Sequence, residues 1–362
     1  MLKKLILYLS HKFASRPDKA RICSALSELL NDLGKAQPQK GIRIPYDPFQ
    51  HKWIIFSDQH KGAGNGADDF RKAEQNYLTA LGHYNTENYG LISLGDSEEF
   101  WENPLVSAVK KQNPKSIEAE KKFLQRQAFV KVVGNHDIYW KNDPLAPWEI
   151  KKWYGEKVPV YEAVLLEPAH PEWSTSIFMA HGHQGDGASD GNPFSAWFVS
   201  KIWAPLQSWL KINPNTPAYD TAMKTAHNQL MYEWAAQQKN VLLITGHTHQ
   251  PVFDSLTRLE RLYHLLSEAR SKGDHAEEEK VLAEIRKRTK EEGTTGIDYT
   301  KILPVYFNTG CCCYNDGDIT GIELSDGMIR LVKWTKGKRE PLEERAILLP
   351  ASSRYLHPAS HP

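Results

Sequence analysis

The chain has 362 residues, of which 45 are basic and 44 are acidic, giving a formal net charge of +1. This balance excludes the strongly basic class of nucleic-acid-binding proteins, and we expect no nucleic-acid partner. A chain of this length, with 40% hydrophobic residues, buries enough apolar surface to fold without disulfides or structural metals.

Residues 1–45 are predicted to form a helical N-terminal extension. Apolar residues recur there at helical spacing in two segments, and Pro17 opens the second helix while Gly34 ends it. The apolar run Leu5–Leu9 is too short for the core of a signal peptide, and nothing approaches the roughly 20 apolar residues of a membrane-spanning helix. Four cysteines, three of them adjacent, do not form the spaced framework of a secreted disulfide protein. We therefore expect a cytoplasmic protein.

From residue 52 onward the pattern changes to short apolar runs, each followed by glycine or a polar cluster. Helical stretches such as Asp69–Leu81 and Ser116–Gln127 lie between several of these runs. This alternation predicts an α/β fold whose sheets are covered by helices. The predicted strands are Trp53–Phe56, Leu91–Leu94, Phe129–Val133, Ile177–Ala180, Val241–Ile244 and Val305–Phe307.

Two segments interrupt the main domain, which we place at residues 46–335. The first, at about 187–238, is rich in aromatic residues and is predicted to form a helical cap. The second, at about 255–293, is charged, carries leucines at heptad-like spacing, and is predicted to be a helical hairpin that turns at Gly273. Residues 336–362 form a proline-containing tail with little periodicity, which either wraps the surface or is partly disordered.

A polar cluster follows each of five predicted strands: SDQH, GDSEE, GNHD, HGH and GHTH. Loops that leave the carboxyl ends of parallel strands converge on one crevice, where ligands bind. Carboxylate, imidazole and amide groups suit manganese, iron, zinc or nickel rather than calcium. The candidate ligands are too many for one ion. Two ions about 3.5–4 Å apart, as in two-metal hydrolases, would use every one of them. The candidate ligands are Asp58, His60, Asp96, Asn135, His181, His247 and His249.

In this order, the five motifs resemble those of the calcineurin-like metallophosphoesterase superfamily over about residues 50–325. The resemblance implies a β-sandwich flanked by helices, here with helical insertions, and a site for two divalent metal ions, manganese first. It implies a first metal held by Asp58, His60, Asp96 and His249. It implies a second metal held by Asp96, Asn135, His181 and His247, so that Asp96 bridges the two. His183 remains an alternative to His181.

The resemblance also implies a dinuclear-metal-dependent phosphoesterase in which a metal-bridging hydroxide attacks a phosphomonoester or phosphodiester of a small or nucleotide-like molecule. His136, next to the ligand Asn135, is placed to protonate the leaving group as general acid. Glu99 lies where related phosphatases carry an acid that pairs with this histidine, and Asp137 is the rival partner. The predicted catalytic residues are His136, Glu99 and Asp137.

Two groups of basic side chains need a separate interpretation. The stretch between Lys110 and Lys131 is interrupted by acidic residues, among them Glu120, and is typical of an exposed helix. The glycine-rich loop that begins at Lys61 lacks the GKS or GKT ending of a P-loop, so its glycines favour a tight turn. Contact of Lys61 and Arg71 with substrate phosphate is the less favoured alternative.

The aromatic and aliphatic residues of segment 194–210 leave a second function open. Such a helix face either packs on the core or on another subunit, or seats an acyl chain or a membrane surface. In the latter case the protein is an interfacial hydrolase of a lipid-linked phosphoester or pyrophosphate, peripheral to the inner face of a membrane. It then resembles the UDP-diacylglucosamine pyrophosphohydrolases, but carries His136 where those enzymes have arginine. A non-catalytic scaffold is a third possibility, against which the intact metal motifs argue.

Three adjacent cysteines, Cys311, Cys312 and Cys313, follow the last predicted strand. Adjacent side chains of an extended segment point to opposite sides, so three thiols in a row do not converge on one ion. We expect all three to be small buried residues near the site but outside it.

Overall fold

A computed structural model describes most of the chain. The described residues are 17–35, 40–66, 68–170, 173–185, 221–257, 261–262, 265–266, 269–270, 272–292 and 304–347. The predicted helix before Pro17, the aromatic face of residues 194–210 and the tail beyond residue 347 lie outside them.

Two mixed seven-stranded sheets form the centre of the fold, as the α/β pattern predicts. The strands of the first half are β1 (Gly41–Tyr46), β2 (Trp53–Phe56), β3 (Gly90–Leu94), β4 (Phe129–Val132), β5 (Val160–Tyr161), β6 (Ala163–Pro168) and β7 (Ser176–Ala180). Those of the second half are β8 (Val241–Thr245), β9 (Val252–Phe253), β10 (Leu256–Thr257), β11 (Tyr306–Asn308), β12 (Ile319–Ser325), β13 (Met328–Thr335) and β14 (Lys338–Ala346).

The two sheets pack against each other as a sandwich. One has the strand order β1-β6-β7-β8-β11-β9-β10, and the other β14-β13-β12-β2-β3-β4-β5. Both contribute to one hydrophobic core, in which Ile92 and Val132 of one sheet are buried together with Val164 and Phe178 of the other. Strands β2, β3 and β4 run parallel in one sheet, and β7, β8 and β11 run parallel in the other. Their carboxyl ends therefore deliver the loops that carry the predicted ligands.

Helices cover the sandwich. They are α1 (Lys19–Gly34), α2 (Glu74–Thr86), α3 (Val106–Gln112), α4 (Pro114–Gln125), α5 (Tyr139–Asn142), α6 (Ala146–Tyr154), α7 (Thr221–Gln237) and α8 (His275–Glu292). The predicted helix Asp69–Leu81 is divided into a 3-10 turn at Asp69–Lys72 and α2. Among the described residues, no helix is long and apolar enough to cross a membrane.

Helix α1 is fixed to the core at both its start and its apolar face. Asp18 caps it, accepting a hydrogen bond from the Arg21 N–H at 2.9 Å. Its buried face includes Leu26, and the Trp234 indole of α7 donates to Ser27 Oγ at 2.9 Å. The second predicted helix of the N-terminal extension is therefore part of the folded domain.

Two strands extend the sheets beyond the boundaries placed at residues 46 and 335. Strand β1 pairs in parallel with β6, from Gly41 opposite Ala163 to Tyr46 opposite Pro168. Strand β14 pairs with β13 at an edge of the other sheet. Both are edge strands with mostly half-buried or exposed side chains, so neither has the continuous apolar run that marks a central strand.

Part of the segment predicted as a helical hairpin is described. Helix α8 follows Gly273, whose φ is 68°, and the Asp274 carboxylate accepts the Glu277 N–H at 3.0 Å. The buried face of α8 packs on residues of the preceding arm, forming a separate small core of Leu262, Leu266, Val281 and Ile285.

Candidate metal centre

Backbone hydrogen bonds align the loops that carry the motifs. Asp58 N–H donates to Gly95 O at 3.0 Å, and His60 N–H donates to Asp96 O at 3.0 Å, so the loops after β2 and β3 run side by side. In the other sheet, Gly246 N–H donates to His181 O at 2.9 Å. The motifs of both sheets thus meet at one edge of the sandwich.

Five of the seven predicted ligands have left-handed backbone conformations. Their φ angles are 53° at Asp58, 51° at His60, 50° at Asp96, 69° at His247 and 56° at His249. Such angles are uncommon for residues other than glycine and cost about 1–3 kcal/mol each. Backbone strain concentrated at these residues is typical of a functional site.

Glycines precede two of the ligands because the backbones approach closely. A Cβ atom on Gly134 would collide with the Asp96 carboxylate and lie 2.5 Å from the Asp96 amide nitrogen. A Cβ atom on Gly246 would lie 2.5 Å from Asp58 Oδ2. The glycines of GNHD and GHTH therefore make room for carboxylates delivered by other strands.

Donor atoms of the predicted ligands lie close together. His181 Nε2 is 3.0 Å from Asp96 Oδ2, and His249 Nε2 is 3.2 Å from Asp58 Oδ1. His60 Nε2 lies 3.1 Å from His249 Nε2 and 3.9 Å from Asp96 Oδ2. Asp96, His181 and His247 form one buried group whose ligand atoms lie within 4.8 Å of one another. The two halves of the sandwich therefore contribute to one compact set of nitrogen and oxygen atoms.

The carboxylates of Asp58 and Asp96 each accept a backbone N–H with one oxygen and direct the other oxygen toward the predicted histidine ligands. Asp58 Oδ2 accepts the His247 N–H at 2.9 Å and also the Ser57 hydroxyl. Asp96 Oδ1 accepts the His136 N–H at 2.8 Å. This leaves Asp58 Oδ1 and Asp96 Oδ2 facing the histidine nitrogens.

Several buried polar atoms here have no hydrogen-bond partner within the described part of the chain. They are His247 Nε2, His183 Nδ1, and both Oδ1 and Nδ2 of Asn135, together with Asp58 Oδ1 and His181 Nε2, whose short contacts to His249 and Asp96 are not aligned as hydrogen bonds. Buried polar atoms without a partner cost about 1–3 kcal/mol each and need a reason. A divalent cation provides one for the carboxylate oxygen, the amide oxygen and the imidazole nitrogens, so these residues fit the metal ions that the resemblance implies.

The histidine rings are oriented by their other nitrogens. His181 Nδ1 lies 2.8 Å from the Leu94 carbonyl oxygen, and His60 Nδ1 lies 2.9 Å from Glu99 Oε2. Donation of Nδ1–H to an oxygen leaves the lone pair on Nε2, as is usual for metal-binding histidines. In both rings Nε2 is the atom that faces the carboxylates.

The charges of the site favour cations. Burial alone would raise the pKa of Asp96, but the neighbouring imidazoles, His181 first, hold it well below its usual range. Burial would lower the pKa of His60, yet its hydrogen bond to Glu99 and the charge of Asp96 raise it to about 10. The pKa of His181 rises to about 9, against burial, because of Asp96 and Asp58. The buried carboxylates thus stabilise positive charge next to them.

Two further histidines flank the site. His183 is buried, with its ring centroid 5.5 Å from that of His181, and burial lowers its pKa to about 3. His181, not His183, belongs to the compact group with Asp96 and His247. His227 of α7 lies 5.2 Å from the His247 ring, centroid to centroid, and its Nε2 is 2.7 Å from Gly182 O. Sequence reasoning missed His227, which stands in no motif.

His136 is held on two sides. Its Nδ1 lies 2.7 Å from Glu99 Oε2, and Trp101 stacks on it with ring centroids 4.1 Å apart and planes at 24°. The rival partner, Asp137, instead accepts the N–H groups of Ser97 at 2.8 Å and Gly134 at 2.6 Å. Glu99 therefore orients the His136 ring, whereas Asp137 fixes the loop that carries it.

A buried charge network lies behind the metal centre. Lys61 Nζ is 2.7 Å from Glu120 Oε1 and 3.2 Å from Glu98 Oε1, and Lys131 Nζ is 2.9 Å from Glu98 Oε2. The charges of both lysines overcome burial and lower the pKa of Glu98 to about 2. All four residues are at most 1% exposed. The prediction of an exposed helix is therefore wrong for Lys131 and Glu120, and Lys61 is directed away from solvent.

The cysteines divide between two environments. Cys312 is buried in the core beside Phe56 and Val332. Cys313 is half-buried, and its Sγ lies 3.7 Å from His249 Nδ1. The expectation that all three thiols lie outside the site therefore does not hold for Cys313, nor for Cys311, which is buried and also interacts with His249.

Comparisons with known proteins give no close relative. No family model and no curated protein matches the chain. Among solved structures, it is similar to a mutant of a cold-active protein tyrosine phosphatase, with 11% identity, a TM-score of 0.33, and 85% of each chain covered. It is also similar to a 5'-nucleotidase from Candida albicans, with 12% identity, a TM-score of 0.27, and coverage of 77% of this chain and 48% of that one. These scores are too low to support an argument about function.

Proposed function

We propose that this chain is a metal-dependent phosphoesterase of the calcineurin-like kind, hydrolysing a phosphomonoester or phosphodiester of a small or nucleotide-like molecule. The observation that carries the proposal is that loops of both sheets bring together buried oxygen and nitrogen atoms that could bind a metal, several of which have no aligned hydrogen-bond partner among the described residues. The five motifs support the same function.

Two divalent ions fit the donor set, with manganese as the first expectation and iron, zinc or nickel as alternatives. Asp58, His60, Asp96 and His249 would hold the first ion. Asp96, Asn135, His181 and His247 would hold the second. When bound, such ions neutralise the charge of a phosphoester and lower the pKa of a water molecule toward neutrality.

Side chains of the protein would then protonate the leaving group. Because Glu99 binds Nδ1 of His136, Nε2 is the nitrogen that is left to carry a proton to the departing oxygen. Trp101 covers one face of the imidazole and limits its rotation. His136 is therefore the proposed general acid, and Glu99 is its positioning residue.

Metal analysis and an ester panel test this proposal together. We expect two divalent ions per chain, and manganese-dependent hydrolysis of p-nitrophenyl mono- or diesters. Asp96→Ala should lose both metal and hydrolysis, whereas Asp316→Ala, a substitution of an exposed aspartate, should retain both. A wild-type protein that binds no divalent ion would contradict the proposal, and so would an Asp96→Ala variant with full activity.

A second candidate function, hydrolysis of a lipid-linked phosphoester at a membrane surface, is favoured by one described feature. Leu105, Leu145 and Trp148 are 66%, 63% and 57% exposed. They lie at the start of α3, which follows the loop of Glu99, and at the start of α6, which follows the loop of His136 and the short helix α5. Lys152 Nζ lies 3.0 Å from the centre of the Trp148 ring, a combination of indole and cation that suits an anionic lipid surface.

Flotation with anionic phospholipid vesicles tests the second candidate. On this candidate the full chain floats with the vesicles, and Trp148→Ser combined with Leu145→Ser weakens flotation. Phe49→Ser is the matched control, because Phe49 is equally exposed, at 62%, but lies before β2. Absence of binding by the unmodified chain would remove this candidate.

A further inference from the structure

The histidines proposed as ligands differ in what binds the nitrogen that faces away from the metal. His60 Nδ1 lies 2.9 Å from a Glu99 oxygen, and His181 Nδ1 lies 2.8 Å from the Leu94 carbonyl oxygen. His249 Nδ1 instead lies 3.7 Å from Cys313 Sγ, a distance suited to a hydrogen bond to sulfur. A sulfur atom thus occupies the position that oxygen atoms occupy at the other two rings.

The His249 ring stands between this sulfur and the donor set. On its Nε2 side, His249 is 3.2 Å from Asp58 Oδ1 and 3.1 Å from His60 Nε2. The sulfur is next to Nδ1, the nitrogen that those two contacts do not use. The geometry therefore favours a sulfur that orients the ring over a sulfur that binds the metal, although the sulfur also lies within 4.8 Å of a His60 nitrogen.

The residues on both sides of Cys313 are anchored to the site. Cys312 N–H donates to the Asp58 carbonyl oxygen at 3.1 Å, and the Tyr314 hydroxyl donates to the His249 carbonyl oxygen at 3.2 Å. Cys313 stands between these two contacts. Because its neighbours are tied to two proposed ligands of the first metal, its sulfur is held at the His249 ring.

We propose that Cys313 is a positioning residue of the first metal site: its sulfur accepts the Nδ1–H of His249, which fixes the tautomer and orientation of the ring, so that Nε2 is the ligand atom. The inference rests on the proposed function and adds one residue to it. Partners of metal-binding histidines usually change metal affinity by about 10- to 100-fold when they are removed.

Cobalt binding tests the proposed role of Cys313 directly. The absorption spectrum of bound Co²⁺ reports which ligands it has, and competition with a chelator measures its affinity. We expect Cys313→Ala to weaken binding at the first site by about 10- to 100-fold, and Cys313→Ser to lie between Ala and wild type because its hydroxyl still accepts a hydrogen bond. The matched control is Cys312→Ala, which removes the neighbouring thiol from the core and should change affinity less than twofold. The wild-type cobalt protein should show no thiolate-to-cobalt charge-transfer band.

Three results would overturn the inference. One is unchanged cobalt affinity in Cys313→Ala. The second is a loss of affinity in Cys311→Ala that is larger than the loss in Cys313→Ala, because the Cys311 sulfur also interacts with the His249 ring. The third is a near-ultraviolet thiolate band in the wild type that disappears in Cys313→Ala, which would make the sulfur a ligand. If the wild type itself bound no cobalt, the proposed function would fail, and that outcome is distinct from these three.

Discussion

Glu99→Gln perturbs both the proposed general acid, His136, and one proposed metal ligand, His60. Glu99 Oε2 contacts two imidazoles, His136 at 2.7 Å and His60 at 2.9 Å, while Oε1 accepts the N–H groups of Trp101 and Glu102 at 3.1 Å each. The two imidazoles hold the pKa of Glu99 at about 2, against burial. Glutamine keeps the shape of the side chain but removes the charge from both contacts.

The expected loss of turnover and of metal affinity follows from the strength of these two hydrogen bonds. A hydrogen bond to a charged group contributes about 1.5–3 kcal/mol, which corresponds to about 10- to 150-fold in a rate or a binding constant. We therefore expect kcat of Glu99→Gln to fall by about 10- to 150-fold at saturating metal, through His136. First-site metal affinity should weaken by a similar factor, through His60.

A double-mutant cycle with His136 provides the assay. Turnover of a p-nitrophenyl ester is measured at saturating Mn²⁺ for the wild type, Glu99→Gln, His136→Ala and the double variant. If Glu99 acts on turnover through His136, the double variant should be no slower than His136→Ala. Full activity of Glu99→Gln, or losses that multiply in the double variant, would refute the reasoning.

Three further predictions concern close packing, buried charge and metal. Gly134→Ala should abolish metal binding, because its Cβ collides with the Asp96 carboxylate; metal content equal to wild type would contradict this. Glu98→Gln should destabilise the protein by about 3–5 kcal/mol near pH 7 by leaving buried Lys61 and Lys131 with less compensating charge, as measured by urea unfolding. Because the folded-state pKa of Glu98 is about 2, below its ordinary value of 4.5, this difference should shrink as the pH falls from about 5 toward 2; a constant difference would contradict it. A chelator should lower the melting temperature, since metal at about 1,000 times Kd stabilises by about 4 kcal/mol; no shift would argue against metal binding.

The sequence predicts the central strands and the polar clusters after them with good accuracy. The run Trp53–Phe56 coincides with β2, and Val241–Ile244 is extended by one residue in β8. Continuous apolar runs mark strands that are buried on both faces. The edge strands β1 and β14 lack that signal, which is why they lie outside the domain boundaries drawn from the sequence.

The surroundings of the candidate site were harder to predict. A lysine such as Lys131 is ordinarily exposed, and only the fold shows that Glu98 comes within 2.9 Å of it. The expectation that the thiols are buried outside the site holds for Cys312, but the sequence could not show that Cys313 would lie beside His249. Contacts between distant segments depend on the packing of the two sheets, which no local pattern reports.

The most direct test of the account is metal stoichiometry measured together with phosphoester hydrolysis on one preparation. The account predicts two divalent ions per chain in the wild type, with hydrolysis that disappears on chelation and returns with Mn²⁺. It also predicts that Asp96→Ala, which removes the proposed bridging carboxylate, loses both ions and activity. A folded wild-type protein that binds no divalent ion, or that hydrolyses phosphoesters equally well without metal, would contradict the central claim.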